Sequence, residues 1–232
     1  MNPLDLDPEA LAEALDREGY AVTPPVLLPS AAARMQSMFE DDSLFRNTVD
    51  MARVQFGRGR YRYFDRPLPD HVGQLRRELY AALAPIANVW RQRLGETGED
   101  WPPELEGLTA RCRDAGQTRP TPLLLRYRPG DFNCLHRDLY GEVHFPLQAI
   151  VMLSDPDRDF EGGELVLVEQ RPRLQSRPAV VQIPRGAAAI IPVSERPRPS
   201  ARGWSRSFMR HGVSAIRSGE RYTLGIIFHD AA

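Results

Sequence analysis

Residues 121–138, TPLLLRYRPGDFNCLHRD, mark the point where the character of the chain changes. An apolar run at 123–127 is typical of a buried strand, and RPGD at 128–131 has the composition of a turn. The residues that follow predict a second extended segment. Side chains two residues apart point to the same face of a strand, so His136 and Asp138 can both reach one ion.

Short β-rich runs punctuated by glycine and proline continue to the end of the chain. Besides 123–127, they lie at 144–153, 164–168, 179–183, 187–193, 207–216 and 221–229. Seven or eight strands with no helical segments between them predict a sandwich or a double-sheet jelly roll. The Pro- and Arg-rich segment 194–206, which includes Trp204, predicts a long exposed loop suited to a lid.

The first hundred residues have helical periodicity instead. Helices are predicted at 7–18, from Ser30 onward and at about 69–94, where apolar residues recur at three- and four-residue steps. We therefore predict an α+β, mainly β fold with a mostly helical N-terminal region, residues 1–120. This region is expected to buttress a β-rich core at 121–232, with the two forming one integrated domain.

The charge, hydrophobic runs and cysteines of the chain limit the classes of function that are expected. The 232 residues carry a net charge of −1, which points to neither nucleic acid nor an anionic membrane as an obligatory partner. The N-terminus is acidic where a signal peptide would be basic, and no apolar run approaches the roughly 20 residues of a membrane span. The two cysteines, Cys112 and Cys134, form no CxxC pair, and both are expected to be small, partly buried thiols. These features predict a cytoplasmic protein, while oligomeric state is not indicated.

A metal site needs a third ligand beyond His136 and Asp138, and His211 is the best candidate. Two histidines and one carboxylate leave coordination positions open, as in non-haem Fe(II) oxygenases. A structural zinc site would favour four closed protein ligands. The HxD spacing is weak by itself, because a histidine in a strand is more often an ordinary core or surface residue.

Ten residues after His211, the strand RYTLGIIF places Arg221, Thr223 and Gly225 on one face. A guanidinium can grip a carboxylate with two hydrogen bonds, the threonine can add another, and the glycine leaves space for a small anion. The ordinary alternative for Arg221 is a surface ion pair.

Over residues 121–230 the sequence resembles the 2-oxoglutarate- and Fe(II)-dependent dioxygenases, in particular the prolyl-hydroxylase-like branch. The residues that carry the resemblance are, in order, Tyr127, Gly130, His136, Asp138, Gly162, Gly163, Glu164, Leu165, His211, Val213, Arg221 and Thr223. The resemblance implies a double-stranded β-helix. Several prolyl hydroxylases have lysine where this chain has Arg221, so prolyl specificity does not follow.

The resemblance also implies the cofactors. Fe(II) would be held by His136, Asp138 and His211, and 2-oxoglutarate would chelate the iron. The far carboxylate of 2-oxoglutarate would be bound by Arg221, with Thr223 and Tyr127 as helpers. Dioxygen would be the second co-substrate, with release of succinate and CO2 as a small-molecule or peptide substrate is hydroxylated.

Two rival functions remain open. Residues 54–64, VQFGRGRYRYF, interleave arginine with aromatic residues, which would suit oxidative demethylation of a nucleic-acid base. We favour a solvated arginine face on a flanking strand, with Tyr61 and Tyr63 as candidate substrate contacts. The second rival is a metal-binding or sensing module without catalytic activity.

The remaining polar residues near the predicted site are assigned no ligand role. His144 and His229 are interpreted as core, surface or supporting residues, and Cys134 as a packing residue. Glu142 and Gln148 lie near the predicted metal strand without an assigned function.

Overall fold

The computed structural model describes residues 4, 6–171, 173–201 and 203–232. Its α-helices are α1 (Pro8–Glu18), α2 (Pro29–Ser37), α3 (Asp70–Leu94) and α4 (Leu105–Asp114), with 3-10 turns at Met38–Glu40, Asp42–Leu44 and Met51–Val54. Asp7 caps α1 by accepting hydrogen bonds from the backbone N–H groups of Glu9 and Ala10. Gly19 ends this helix in the left-handed conformation, with φ of 86°.

The strands are β1 (Ala21–Val22), β2 (Phe45–Asp50), β3 (Gly57–Arg58), β4 (Arg60–Phe64), β5 (Leu123–Tyr127), β6 (Phe132–His136), β7 (Leu147–Met152), β8 (Phe160–Gly162), β9 (Leu165–Gln170), β10 (Arg177–Val181), β11 (Ala188–Pro192), β12 (Glu195–Ser200), β13 (Gly203–Val213), β14 (Ile216–Gly219) and β15 (Arg221–Ile227). The major sheet has the order β1-β11-β7-β15-β5-β4-β2. The minor sheet has the order β10-β9-β13-β6-β3, with β12 paired to β13. Side chains of both sheets share one buried cluster between them.

The helical region packs on the major sheet. Helix α3 buries Leu75, Leu79 and Leu83, and these join a core cluster that also contains Leu147 and Phe228 from the sheet side. The three- and four-residue spacing of these leucines explains why one face of α3 is buried. The predicted helices and the mainly β composition are therefore found, and no helix in the described part of the chain is long and apolar enough to cross a membrane.

The N-terminal region differs from the prediction in two respects. Strands β2 and β4 belong to the major sheet, so these hundred residues contribute β-structure as well as helices. The segment 54–64 is not one continuous strand, because Gly57 and Gly59 adopt φ of 130° and 123°. The sequence also predicted a solvated arginine face here, and Arg62 contradicts it. This residue is buried within β4 and donates to the Phe39 carbonyl and to Thr48.

The predicted loop at 194–206 is also wrong, because these residues form most of the hairpin β12–β13. Arg196 is only 1% exposed, and its guanidinium binds Glu169 and the carbonyls of Leu15 and Asp16. Pro197 and Pro199 fit a strand that pairs on one side only, where the missing N–H groups break no ladder. The composition of the segment suggested a loop, because the sequence of the segment does not indicate that Arg196 contacts residues as distant as Glu169 and Leu15.

Candidate metal and co-substrate site

The residues His136, Asp138 and His211 meet between the two sheets. His136 ends β6 and lies directly opposite His211 of β13. Asp138 follows the end of β6, so the strand itself carries only the first member of the HxD pair. His211 Nε2 lies 3.2 Å from Asp138 Oδ2, and His136 Nε2 lies 3.6 Å from Asp138 Oδ1. Candidate ligand atoms of all three residues lie within 4.8 Å of one another, as a shared ion requires.

The side chains of this triad are oriented by their neighbours. Nδ1 of His136 lies 2.8 Å from the carbonyl of Cys134, which leaves Nε2 turned toward the other ligands. The Tyr140 hydroxyl donates to Asp138 Oδ1 at 2.9 Å and is itself 3.2 Å from the Tyr63 hydroxyl. Such outer contacts fix ring orientation and carboxylate geometry in metal sites.

The protonation states also suit a divalent cation. Burial, then the neighbouring His211, lowers the pKa of His136, which favours the neutral imidazole. Burial acts to raise the pKa of Asp138, but hydrogen bonds and charge interactions with the two histidines and Tyr140 outweigh it and keep the carboxyl ionised. A neutral imidazole and an ionised carboxylate are the forms in which side chains bind a metal. Two histidines and one carboxylate form the donor set of a facial non-haem iron site.

Arg221 is the second unusual feature of the site. It begins β15 opposite Tyr127 of β5, and its guanidinium carbon lies 5.5 Å from the centroid of the Tyr127 ring. The side chain is 1% exposed, and none of its three guanidinium nitrogens has a hydrogen-bond partner among the described residues. Burial lowers the pKa of Arg221 to about 10, so it stays charged at neutral pH. A buried, charged and unpaired guanidinium is costly, and an anionic ligand would relieve that cost.

The second glycine of DFEGGEL, Gly163, lies against this arginine. Gly163 has φ of +64°, and a Cβ at this position would lie 2.9 Å from Arg221 Cδ and 2.2 Å from Ile216 Cδ1. A side chain here would force Ile216 or the stem of Arg221 to shift. The glycine therefore allows the close approach of the Arg221 stem.

One cavity joins the triad to Arg221. It has a volume of about 260 Å³, and its lining includes every predicted site residue, namely Tyr127, His136, Asp138, His211, Arg221 and Thr223. Tyr127 is fully buried, and burial raises its pKa to about 12, so its hydroxyl remains a donor. Thr223 is buried at 1% exposure beside it on the sheet.

The structure adds cavity residues that sequence reasoning did not assign. Asn133, Tyr140 and Gln148 line the same space. Tyr61 and Tyr63, which the sequence offered as candidate substrate contacts, line it as well. Continuing the two-residue alternation from Asp138 would have pointed to Tyr140. Asn133 and Gln148 carry no such local signal, because their positions depend on pairing with distant strands.

The other histidines lie outside the metal cluster. His144 is exposed, whereas His229 is buried and accepts a hydrogen bond from the backbone N–H of Phe145. Cys112 is buried as expected, but Cys134 is exposed and is not a packing residue. Trp204, on β13, is partly exposed and is stacked by Arg93 at 4.0 Å rather than carried on a free loop.

Comparison with known proteins identifies the family. The Oxygenase-NA family model, described as "Oxygenase, catalysing oxidative methylation of damaged DNA", matches residues 59–231. The chain belongs to the Oxygenase-NA family. Two curated relatives from Mycobacterium tuberculosis strains, the uncharacterized proteins MT2286 and Rv2227, are each 51% identical to this oxygenase over 169 residues. The match covers 73% of this chain and 72% of each relative.

Solved structures show the fold of this oxygenase. A Pseudomonas putida prolyl-4-hydroxylase has a TM-score of 0.57 at 16% identity, covering 97% of this chain and 100% of that one. A 2OG-Fe(II) oxygenase family protein from Burkholderia pseudomallei gives 0.55 at 14% identity, with 100% and 96% covered. HygX from Streptomyces hygroscopicus gives 0.53 at 19% identity, with 95% and 85% covered.

These comparisons confirm the predicted jelly-roll fold and the oxygenase class. The expectation that nucleic acid is an unlikely partner is not confirmed, because the family description names damaged DNA.

Proposed function

We propose that this oxygenase is an Fe(II)- and 2-oxoglutarate-dependent dioxygenase that hydroxylates an organic substrate. In this proposal His136, Asp138 and His211 hold the metal. Arg221 binds the far carboxylate of 2-oxoglutarate, assisted by Thr223 and the Tyr127 hydroxyl. The observation that carries the proposal is the buried, unpaired guanidinium of Arg221 in the same cavity as the triad. HygX, a structure with this fold, is described with nickel and 2-oxoglutarate bound, which supports the same pair of ligands here.

Bound Fe(II) would supply the activation of dioxygen, coupled to oxidative decarboxylation of 2-oxoglutarate to succinate and CO2. The protein residues have separate tasks. Tyr140 holds Oδ1 of Asp138 through its hydroxyl hydrogen, leaving the carboxylate fixed before the metal arrives. Arg221 and Tyr127 orient the diacid by hydrogen bonding, and the apolar members of the cavity wall, such as Leu125 and Ile150, limit water access.

The test is an anaerobic titration of the apoprotein with Fe(II) and 2-oxoglutarate, following the visible charge-transfer absorption of a keto acid chelated to Fe(II). We expect a band in the wild type and none in His136→Ala. Arg221→Ala should raise the 2-oxoglutarate concentration at half-saturation at least about thirtyfold, because a buried charged contact is lost.

Matched controls are His144→Ala and Arg210→Ala, which remove an exposed histidine and an exposed arginine. Both should reproduce the wild-type titration. Absence of the band in the wild type, with Fe(II) shown to be bound, would refute the co-substrate assignment. If Arg221→Ala reaches half-saturation at the wild-type 2-oxoglutarate concentration, only the role of Arg221 is refuted.

A nucleic-acid base is the second candidate substrate, and the family description naming damaged DNA favours it. Phe56 lines the cavity while half exposed, and the exposed Arg58 and Arg60 lie close to it in the chain. If this candidate is correct, a fluorescent single-stranded oligodeoxynucleotide should bind at low salt and weaken as salt rises. The double variant Arg58→Ala/Arg60→Ala should reduce that binding, whereas Arg113→Ala on α4 should not. No binding at low salt would exclude the candidate.

A further inference from the structure

Gln148 is a buried polar residue for which the proposed co-substrate has no use. It lies on β7, is 2% exposed and lines the cavity of the triad. Its Nε2 has no hydrogen-bond partner among the described residues. An amide kept buried without a partner destabilises a fold, so a ligand that completes its hydrogen bonds would explain its presence.

Strand register separates Gln148 from the co-substrate arginine. Gln148 lies opposite Ile227, at the far end of β15 from Arg221. Six residues of extended strand separate the Cα atoms of Arg221 and Ile227 by roughly 20 Å. A short diacid gripped by Arg221 would not extend to that end of the cavity, so the Gln148 amide is free for another molecule.

Along the direction of β15, the metal triad lies between the Arg221 end and the Gln148 end of the cavity. Asp138 is bound by Tyr140, whose hydroxyl contacts that of Tyr63. Tyr63 lies opposite Leu123, and Leu123 lies opposite Gly225. Gly225 lies four residues from Arg221 and two from Ile227 along β15, so the Gln148 end lies beyond the metal from the arginine.

The walls at this end favour a flat, neutral group. Leu123 and Ile227 provide apolar surface, and Tyr63 and Tyr140 provide aromatic rings with their hydroxyls engaged together. A charged group would lose its hydration here without gaining a counter-charge from these four residues. An amide edge has one donor and one acceptor, and its complement is a group with an acceptor beside a donor.

We propose that Gln148 and these walls form the primary-substrate subsite, which binds a neutral planar ring through a lactam edge, C=O beside N–H. The assignment rests on the proposed function. The ring can be a free heterocycle or a base within a nucleic acid, since both present the same edge. Arg137 distinguishes the two sources, because its exposed guanidinium at the cavity can contact the backbone of a nucleic acid but not a free heterocycle. Its Nη1 lies 3.3 Å from Ser194 Oγ. Ser194 follows β11, the strand that pairs with β7 at Gln148.

The test uses saturation-transfer NMR on the full chain loaded with Zn(II) and 2-oxoglutarate, with thymidine as the probe. Thymidine should bind the wild type, and Gln148→Leu should weaken it about tenfold, the contribution of one or two neutral hydrogen bonds. N3-methylthymidine, which lacks the N–H, and N-acetylglycinamide, an open-chain amide, should bind more weakly than thymidine. Gln182→Leu removes an exposed glutamine and should change nothing.

Two further readouts separate recognition from a structural role. Gln148→Leu should leave the half-saturation for 2-oxoglutarate unchanged and should raise the melting temperature of the ligand-free protein, because an unpaired buried amide is removed. Unchanged thymidine binding in Gln148→Leu, equal binding of the open-chain amide, or no thymidine binding to the wild type would each overturn the proposal. A parallel loss of 2-oxoglutarate affinity would also overturn it.

The two sources of the ring are separated with oligothymidylate. If the source is a nucleic acid, the oligomer binds more tightly than thymidine and Arg137→Ala removes only that advantage. A wrong proposed function can be distinguished from a wrong Gln148 assignment, because only the former predicts that Fe(II) and 2-oxoglutarate do not bind. Thymidine binding to the metal-free protein would still report on Gln148.

Discussion

Single residues in this oxygenase favour ligand binding over stability of the empty fold. Arg221 holds an unpaired charge at 1% exposure, and Gln148 holds an unpaired amide at 2%. Each has an apolar alternative that would pack without polar cost. The sequence allowed a surface ion pair for Arg221, and its burial removes that interpretation.

His229 gives a residue-level prediction about pH. Burial, then the nearby His144, lowers its pKa to about 3 from the ordinary 6.5. Between these values the unfolded state binds more protons than the folded state, so the stability that the neutral ring contributes is present above pH 6.5 and is lost as pH falls toward 3. We expect His229→Asn to reduce the slope of unfolding free energy against pH by up to about 1.4 kcal/mol per pH unit in this window.

Chemical denaturation at pH 4, 5, 6 and 7 checks this slope. His71→Asn removes an exposed histidine and should leave the slope unchanged. Equal slopes for the wild type and His229→Asn would show that His229 is not neutral in the fold.

At the level of elements, the hairpin β12–β13 is held by charge. Glu169 on β9 accepts from Arg196, Arg198 and Ser207, while Arg196 also donates to the last-turn carbonyl of Leu15 in α1. Because β13 carries His211, this network connects the N-terminal helix to a metal-ligand strand.

Arg196→Met should therefore lower the unfolding free energy by about 3 kcal/mol, since it leaves Glu169 buried with fewer partners and frees two carbonyls. Denaturant titration measures the loss. Arg210→Met, at an exposed position on the partner strand β13, should change stability by less than about 0.5 kcal/mol. A loss below 1 kcal/mol in Arg196→Met would indicate that the hairpin does not depend on this contact.

At the scale of the whole molecule, we propose that residues 1–120 and 121–232 form one integrated domain. One core cluster includes Leu11 and Leu15 of α1, Leu79 of α3, and Leu147 and Ile226 of the major sheet. A shared core of this kind requires the two regions to unfold together. The denaturation curves recorded for His229→Asn also test this, because a second transition in the wild type would contradict it.

The sequence by itself determined the features that depend on local periodicity. The leucine spacing of α3 and the strands from Leu123 onward, including β6 with His136 at its end, follow from backbone geometry. Asp138 lies beyond that strand, so strand alternation does not account for its position. His211 and Arg221 were candidates from residue type and strand alternation alone, and the resemblance to a known family assigned them to one site, which no local pattern connects.

Only the tertiary structure decided which polar residues are buried and beside what. The same Arg- and Pro-rich composition is compatible with an exposed loop or a paired hairpin, and the buried contact of Arg196 with Glu169 stabilises the hairpin. Likewise, Gln148 faces the cavity because β7 pairs with β15 in one register and not another. Burial is a property of long-range pairing, and pairing between distant strands is not encoded in any short segment.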